Sequence, residues 1–230
     1  MNRYQLTPTI ENHALWIADC SQGQQAVIVG QNLNEIDLTG VNLYGADLSY
    51  STIRNAHLTG ANLYHANLFR TSLLHTNLTD ADLADADLAD ADLRHATLRS
   101  ADLSGACLYE SDFRDADLRG ADLSGTNTTG TRFFDAQLDG VTMNWKSSEL
   151  IAERLYQAAP GIDEMMIACF IGRRTGYKWW ELKYPGMKWA LRTMGGWIKP
   201  DDDIPDYLRI PLEPFDDYAY FRKLQESLTT

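Results

Sequence analysis

Lysine is missing from the middle of this 230-residue chain, since none occurs between residues 31 and 145. That stretch carries 17 acidic and 7 basic residues, a balance of −10, whereas residues 1–30 and 146–230 each come to −1. Surfaces that bind phosphates without sequence preference need clustered lysine and arginine. The middle segment is therefore not expected to bind nucleic acid directly, and a basic protein partner suits it better.

Cysteine and long apolar runs are also scarce. The three cysteines, Cys20, Cys107 and Cys169, lie far apart with no CxxC pair, which argues against a disulfide framework. The first 20 residues lack the charged segment and apolar run of a signal peptide. The longest compact apolar run, residues 165–171, is too short to cross a bilayer. We expect a cytoplasmic protein without membrane contact.

Catalytic motifs are missing as well. The sequence has no GxSxG, HExxH or P-loop motif, and no GxGxxG that opens a helix. His75 and His95 are spaced so that one would lie over the other, but no third metal ligand accompanies them, so we interpret them as stacked surface imidazoles. We predict a protein that is not an enzyme and needs no cofactor or metal.

A large apolar residue recurs at every fifth position from 33 to 143, interrupted once by Thr128. Of these 23 centres 18 are leucine, and the residue two places earlier is mostly small, with alanine in 13 cases. A step of five fits neither the helical period of 3.6 nor the strand period of two. One large and one small inward residue per repeat leave three outward ones, so the chain must turn a corner in each repeat. The pattern predicts a tube.

The densest part of this pattern reads ADLADADLADADLRHA, residues 81–96. Such A(D/N)LXX tandems resemble the pentapeptide-repeat proteins over residues 31–145. The resemblance implies a mainly β fold, a right-handed quadrilateral β-helix in which four repeats form one 20-residue coil. Nearly six coils would then make a rod of about 28 Å, at roughly 4.8 Å per strand layer.

The flanking segments differ from the repeats. In residues 1–30, two strand-like runs at 14–19 and 25–29 surround a turn-like SQGQ, which predicts a hairpin that caps the first coil. In residues 146–230 the five-residue step gives way to helical patterns. The first helix should begin at Ser147 or Ser148, bury Leu150, Ile151 and Leu155, and end before Pro160. We expect this helical module to cap the rod, and it offers a surface for a homodimer.

Aspartates are the first group of candidate binding residues. Asp82, Asp102 and Asp122 should form a column, and the resemblance implies mimicry of duplex DNA, as in the quinolone-resistance pentapeptide proteins that bind type II topoisomerases such as gyrase. Alternatively, an aspartate just before the centre satisfies local backbone groups, and 9 of the 17 acids occupy that slot. The repeat does not explain three other carboxylates, two places after a centre, which are therefore the first candidates for partner contact: Asp80, Asp85 and Asp90.

Aromatic side chains form the second group. Tyr44 and Tyr64 should stack one coil apart with His65 beside them, which suits a protein interface, although packing under a flanking segment is an equal explanation. Our first hypothesis is a non-enzymatic protein-binding or scaffold protein that presents an acidic rod. The alternative is a DNA mimic directed at gyrase.

Overall fold

A computed structural model describes residues 3–143 and 148–159 of the chain. Helix α1 spans Arg3–Ala18 and helix α2 spans Ser148–Ala158. Two short strands, β1 at Asp122–Leu123 and β2 at Thr142–Met143, pair in parallel. Among the described residues, neither helix is long and apolar enough to cross a membrane.

Between the helices the chain winds in coils of 20 residues. Parallel bridges join residues 20 positions apart, from Val27 with Asp47 to Asp117 with Gln137. The bridging residue is always the one before a centre, so four pentapeptides make one four-sided turn. The predicted coil is confirmed. We number its sides by their first centres in the 31–50 coil: side 1 contains Leu33, side 2 Leu38, side 3 Leu43 and side 4 Leu48.

The core is the column of inward side chains along the coil axis. Every centre from Ile28 to Met143 is buried, and most leucines among them have no exposed surface. Near the C-terminal end, Phe113 and Phe133 stack with ring centroids 5.4 Å apart. A fully buried leucine contributes about 1.5–3 kcal/mol before conformational entropy is subtracted, and each coil gains this only against its neighbours.

The slot before each centre holds a local hydrogen bond. Aspartate or asparagine occupies it in 15 repeats, and each Oδ1 accepts the backbone N–H of the residue two places later at 2.8–3.3 Å. Short polar side chains form such turns readily. The structural interpretation of the nine aspartates is confirmed.

The slot two places after each centre requires a left-handed backbone conformation. All 23 residues from Gly30 to Gly140 at this position have positive φ, between 54° and 73°. Nine are glycine, and nine more are aspartate, asparagine or histidine, the other residues that tolerate this conformation. The interpretation that the repeat makes no demand on Asp80, Asp85 and Asp90 is therefore wrong, because the left-handed corner favours these residue types.

The N-terminal segment is helical, so the predicted hairpin is wrong. Leu6, Ile10 and His13 are spaced by four and three residues, and this helical stripe packs on the end of the core. The second predicted strand is instead the first repeat, with Ala26 and Ile28 buried. The repeats therefore begin five residues earlier than predicted. Counting back in fives from Leu33 would have found Ile28.

Helix α2 lies on the last coil, as its sequence pattern predicts. Leu150, Ile151 and Leu155 have no exposed surface and belong to the core cluster. Its polar side chains complete the end of the backbone ladder, since Gln157 Nε2 donates to the Ala136 carbonyl at 2.7 Å and Arg154 Nη1 donates to the Val141 carbonyl at 3.2 Å. The other predicted helices and the homodimer surface lie outside the described residues.

Arginine–aspartate pairs line sides 1 and 2. Arg94 pairs with Asp92 at 2.8 Å, and Arg114 pairs with Asp112 at 2.6 Å. On side 2, Asp117 accepts from Arg119 Nη2 at 2.8 Å and from Arg99 Nε at 2.6 Å. The Arg119 guanidinium lowers the pKa of the Asp117 carboxyl from 3.8 to about 2, against the opposing effect of burial and with help from Arg99.

The left-handed corner predicts the effect of a β-branched residue at Asp80, which is exposed. Asp80→Val should lower the free energy of unfolding by about 1–2 kcal/mol, because a Cβ branch crowds this conformation. Asp80→Gly should leave it unchanged or raise it. Thr129→Val, at an exposed position with negative φ, is the control. Equal denaturation midpoints for Asp80→Val and Asp80→Gly would contradict the assignment.

The Asp117 pairs predict a pH dependence of stability. Because the folded-state pKa is depressed, the stabilisation is complete above the ordinary pKa of 3.8 and disappears as the pH falls towards 2. Asp117→Asn keeps the turn acceptor, removes the charge, and should cost about 1–2 kcal/mol at neutral pH.

Urea unfolding followed by circular dichroism at several pH values measures this difference. It should shrink to nothing near the lower pKa of about 2. Asp87→Asn, in the same slot but exposed and without an ion pair to any arginine in the described residues, should cost little at any pH. A cost for Asp117→Asn that is the same at acidic and neutral pH would disprove the electrostatic explanation.

Candidate interaction surface

Arginine is distributed unevenly around the rod. Of the seven arginines between residues 31 and 145, four lie on side 1, two on side 2, one on side 4 and none on side 3. Side 3 between residues 42 and 125 therefore lacks basic side chains other than one histidine, and we call it the acidic face. Its outward columns are Asn42, Asn62, Asp82, Asp102 and Asp122; Tyr44, Tyr64, Ala84, Ser104 and Ser124; and Gly45, His65, Asp85, Gly105 and Gly125.

The predicted column of carboxylates is present on this face. Asp82 bridges Asp102, and Asp102 bridges Asp122, in parallel register. Each Oδ1 is held by the backbone N–H two residues later, at 3.1 Å for Asp82 and 2.8 Å for the other two. With layers about 4.8 Å apart, three carboxylates repeat along the face at the spacing of the coils.

The predicted tyrosine pair is also present, at the N-terminal end of the same face, although its rings are tilted rather than stacked. The Tyr44 and Tyr64 ring centroids are 5.7 Å apart with 36° between the ring planes, and the His65 ring lies 4.1 Å from that of Tyr64. A hydrogen bond to the Asp85 carboxylate raises the pKa of the Tyr64 phenol. His65 Nε2 lies 4.0 Å from Asp85 Oδ2. Asp85 thus links the aromatic end of the face to its carboxylates.

The structure does not bring Asp80, Asp85 and Asp90 together. They occupy three successive corners of one coil, at the ends of sides 2, 3 and 4. Asp90 pairs with Arg70 Nε at 3.0 Å, and Asp80 is exposed beside side 2. Of the three, Asp85 alone belongs to the acidic face, where it joins Asp82, Asp102 and Asp122.

Sequence reasoning missed that the arginines pair with aspartates and that side 3 carries none of them. The signal is the Asp-x-Arg spacing at 92–94, 112–114 and 117–119, which places both partners on one side and offsets their charges. Assigning each repeat to one of four sides would have shown that side 3 has no such pair.

The histidine pair has the predicted geometry. The His75 and His95 rings stack at 4.8 Å with 13° between their planes, and His95 Nε2 lies 3.9 Å from Asp115 Oδ2. Within residues 3–143 and 148–159, no three histidine, cysteine or acidic side chains are grouped closely enough to hold a metal ion.

Comparison with known proteins identifies the repeat. The family model for pentapeptide repeats matches in eight copies, over segments that together span residues 24–145. No curated protein matches the chain. Several solved structures do, over part of this chain.

A pentapeptide repeat protein from the thylakoid lumen of Arabidopsis thaliana is 32% identical over 43% of this chain and 68% of its own, with a TM-score of 0.42. HetL, involved in the regulation of heterocyst differentiation in Nostoc sp. strain PCC 7120, is 32% identical over 52% of this chain and 60% of its own, with a TM-score of 0.27. QnrB1, a plasmid-mediated fluoroquinolone resistance protein, is 17% identical over 56% of this chain and 97% of its own, with a TM-score of 0.25.

The family match covers more than half of the chain, and the 20-residue coil with its five-residue step agrees with it. The chain belongs to the pentapeptide repeat family, whose members fold as right-handed β-helices.

Proposed function

We propose that this chain is a non-enzymatic binding protein that presents its acidic face to a protein partner with a basic surface. The observation that carries the proposal is the segregation of charge. Arginines pair with aspartates on sides 1 and 2, while Asp82, Asp85, Asp102 and Asp122 share a side that has no arginine or lysine. Between residues 42 and 125, the charged side chains on side 3 are carboxylates, with His65 as the one basic side chain.

The coil also gives this face a fixed shape. The carboxylates of Asp82, Asp102 and Asp122 are anchored in turns, and the Tyr44 and Tyr64 rings lie against each other. Side chains that are ordered before binding lose less conformational entropy in a complex. Tyrosine is also favoured at the energetic centres of interfaces. The aromatic end and the carboxylate column suit a partner that offers an apolar contact beside basic residues.

The alternative function is mimicry of DNA towards a type II topoisomerase such as gyrase, and the carboxylate column favours it. The charge density of the rod, however, is lower than that of duplex DNA. A net charge of −10 over residues 31–145, spread over a rod of about 28 Å, gives roughly one charge per 2.8 Å, whereas duplex DNA carries one per about 1.7 Å. The arginine pairs also offset part of the negative charge on sides 1 and 2. We therefore place binding of a basic protein first.

We also propose a cytoplasmic location and a homodimeric assembly. Cys20 and Cys107 are free thiols, which fits the reducing cytoplasm. A homodimer through residues 146–230 would double the number of acidic faces in one particle and strengthen binding to a multivalent partner.

Neutralising the acidic-face column tests the proposal. Asp82→Asn, Asp102→Asn and Asp122→Asn together should weaken partner binding at least tenfold and flatten its salt dependence, because the attraction is electrostatic. Asparagine already occupies the same slot of this side at Asn42 and Asn62, and Oδ1 accepts the same turn hydrogen bond there. The fold should therefore be preserved.

The matched control removes three charges from the same slot on other sides, with Asp37→Asn, Asp47→Asn and Asp87→Asn. A partner captured by the full chain from its own source cells is purified, and its affinity for the three proteins is measured by calorimetry at two salt concentrations. Weakening in the acidic-face variant alone supports the proposal. Equal weakening in both variants means that only net charge matters, and no weakening in either excludes the face.

A gyrase assay separates the two functions. We expect the full chain to leave DNA supercoiling by purified gyrase unchanged, with or without a quinolone. Inhibition or protection that the Asp82, Asp102 and Asp122 substitutions abolish and the control substitutions retain would favour the DNA mimic instead.

A further inference from the structure

His13 is a buried histidine at the junction between α1 and the first coil. Its side chain has no exposed surface. Nδ1 accepts the backbone N–H of Ala26 at 3.0 Å, and the ring stacks on Trp16 with a centroid distance of 5.4 Å. Nε2 is the one buried side-chain nitrogen or oxygen without a hydrogen-bond partner in the described part of the chain.

The hydrogen bond from the Ala26 N–H to His13 replaces one that this N–H would otherwise donate to a preceding repeat, which the first repeat does not have. In later repeats, the N–H of the small inward residue donates to the carbonyl of the preceding centre, as Ala46 does to Leu43 at 2.9 Å and Ala61 to Leu58 at 3.0 Å. No repeat centre precedes Ala26, because the chain before it forms helix α1 and the turn that follows the helix. The His13 imidazole supplies the acceptor that terminates the series.

This role requires neutral imidazole. With Nδ1 accepting, the neutral ring carries its proton on Nε2, whereas a protonated ring has two donors and no acceptor. Nδ1–H would then face the Ala26 N–H, and the buried charge would have no counter-ion. The groups that face the ring are the Ala26 amide of the first coil, the Tyr44 carbonyl of the next, and Trp16 of α1. No described carboxylate forms an ion pair with it.

We propose that α1 is an acid-released cap, which protonation of His13 uncouples from the first coil. Release removes Leu6 from the end of the core, where it is fully buried. It also moves Trp16, whose ring lies against the Gly45 corner of the acidic face. The proposal concerns the cap alone and does not depend on what the acidic face binds.

Burial lowers the pKa of the His13 imidazole below 6.5, and the nearby Tyr44 carbonyl only partly opposes this. A base with a depressed folded-state pKa takes up its proton more readily when the cap is open. Closure is therefore most stable above pH 6.5. Below it, the ratio of open to closed cap should rise by up to tenfold per pH unit until the folded-state pKa is reached.

Hydrogen exchange of the α1 amides in the full chain measures the opening. Protection factors, corrected for the intrinsic rate at each pH, should fall at least threefold between about pH 7.5 and about pH 5.5. His13→Asn places a non-titrating oxygen near the position of Nδ1, so its protection should be independent of pH, although weaker without the Trp16 stack. His57→Asn, at an exposed histidine in a slot that accepts asparagine, should behave as wild type.

The proposal is overturned if α1 protection in the wild type is constant over this range, or if His13→Asn loses protection as steeply as the wild type. If the His13→Asn variant does not form α1 at any pH, NMR titration of the His13 ring in the wild type tests the proposal instead. Titration of the His13 ring protons together with loss of α1 protection supports the proposal. Titration while α1 stays protected disproves it.

Discussion

The parallel pairing of each residue with the one 20 positions ahead is the constraint on which the whole structure depends. The ladder fixes which side chains point inward, so a leucine or small residue in the wrong slot would disturb the coils on both sides. It also fixes the outward columns, because residues 20 apart share one side for the length of the rod. Stability and surface pattern therefore come from the same register.

The ladder has two ends that must be completed, and the chain completes them with helices. At the C-terminal end, Gln157 and Arg154 donate to carbonyls of the last repeats. At the N-terminal end, His13 accepts a hydrogen bond from the Ala26 N–H, for which the first repeat has no backbone acceptor. A donor such as Gln157 stays a donor over the usual pH range, whereas protonation changes Nδ1 of the histidine from an acceptor to a donor. This difference makes the N-terminal end the pH-sensitive one.

Most of the coil could be predicted from sequence, because a five-residue period leaves few solutions. The columns of Asp82 and Tyr44, the His75–His95 stack and the first turns of α2 follow from counting alone. The hairpin prediction was wrong because the Ala14–Asp19 run was given a strand pattern, while the Leu6, Ile10 and His13 stripe, which spans a longer stretch, was not considered. The positive φ at Asp80 is a property of the corner, and sequence counting by itself does not reveal it. The acidic face was only partly predicted, because the absence of arginine from side 3 becomes visible only after each repeat is assigned to one of the four sides.

If the acidic face is the binding surface, the partner binds on one side of the rod alone. Photo-crosslinking from the same slot on each of the four sides measures this, with the reactive residue at Phe134, Thr39, Ser104 or Thr129 in turn. These positions directly follow a centre on sides 1, 2, 3 and 4. We predict that the partner is crosslinked from Ser104 on the acidic face and not from the other three. Equal crosslinking from Phe134 or Thr39, on the two sides that carry the arginine pairs, would contradict this prediction.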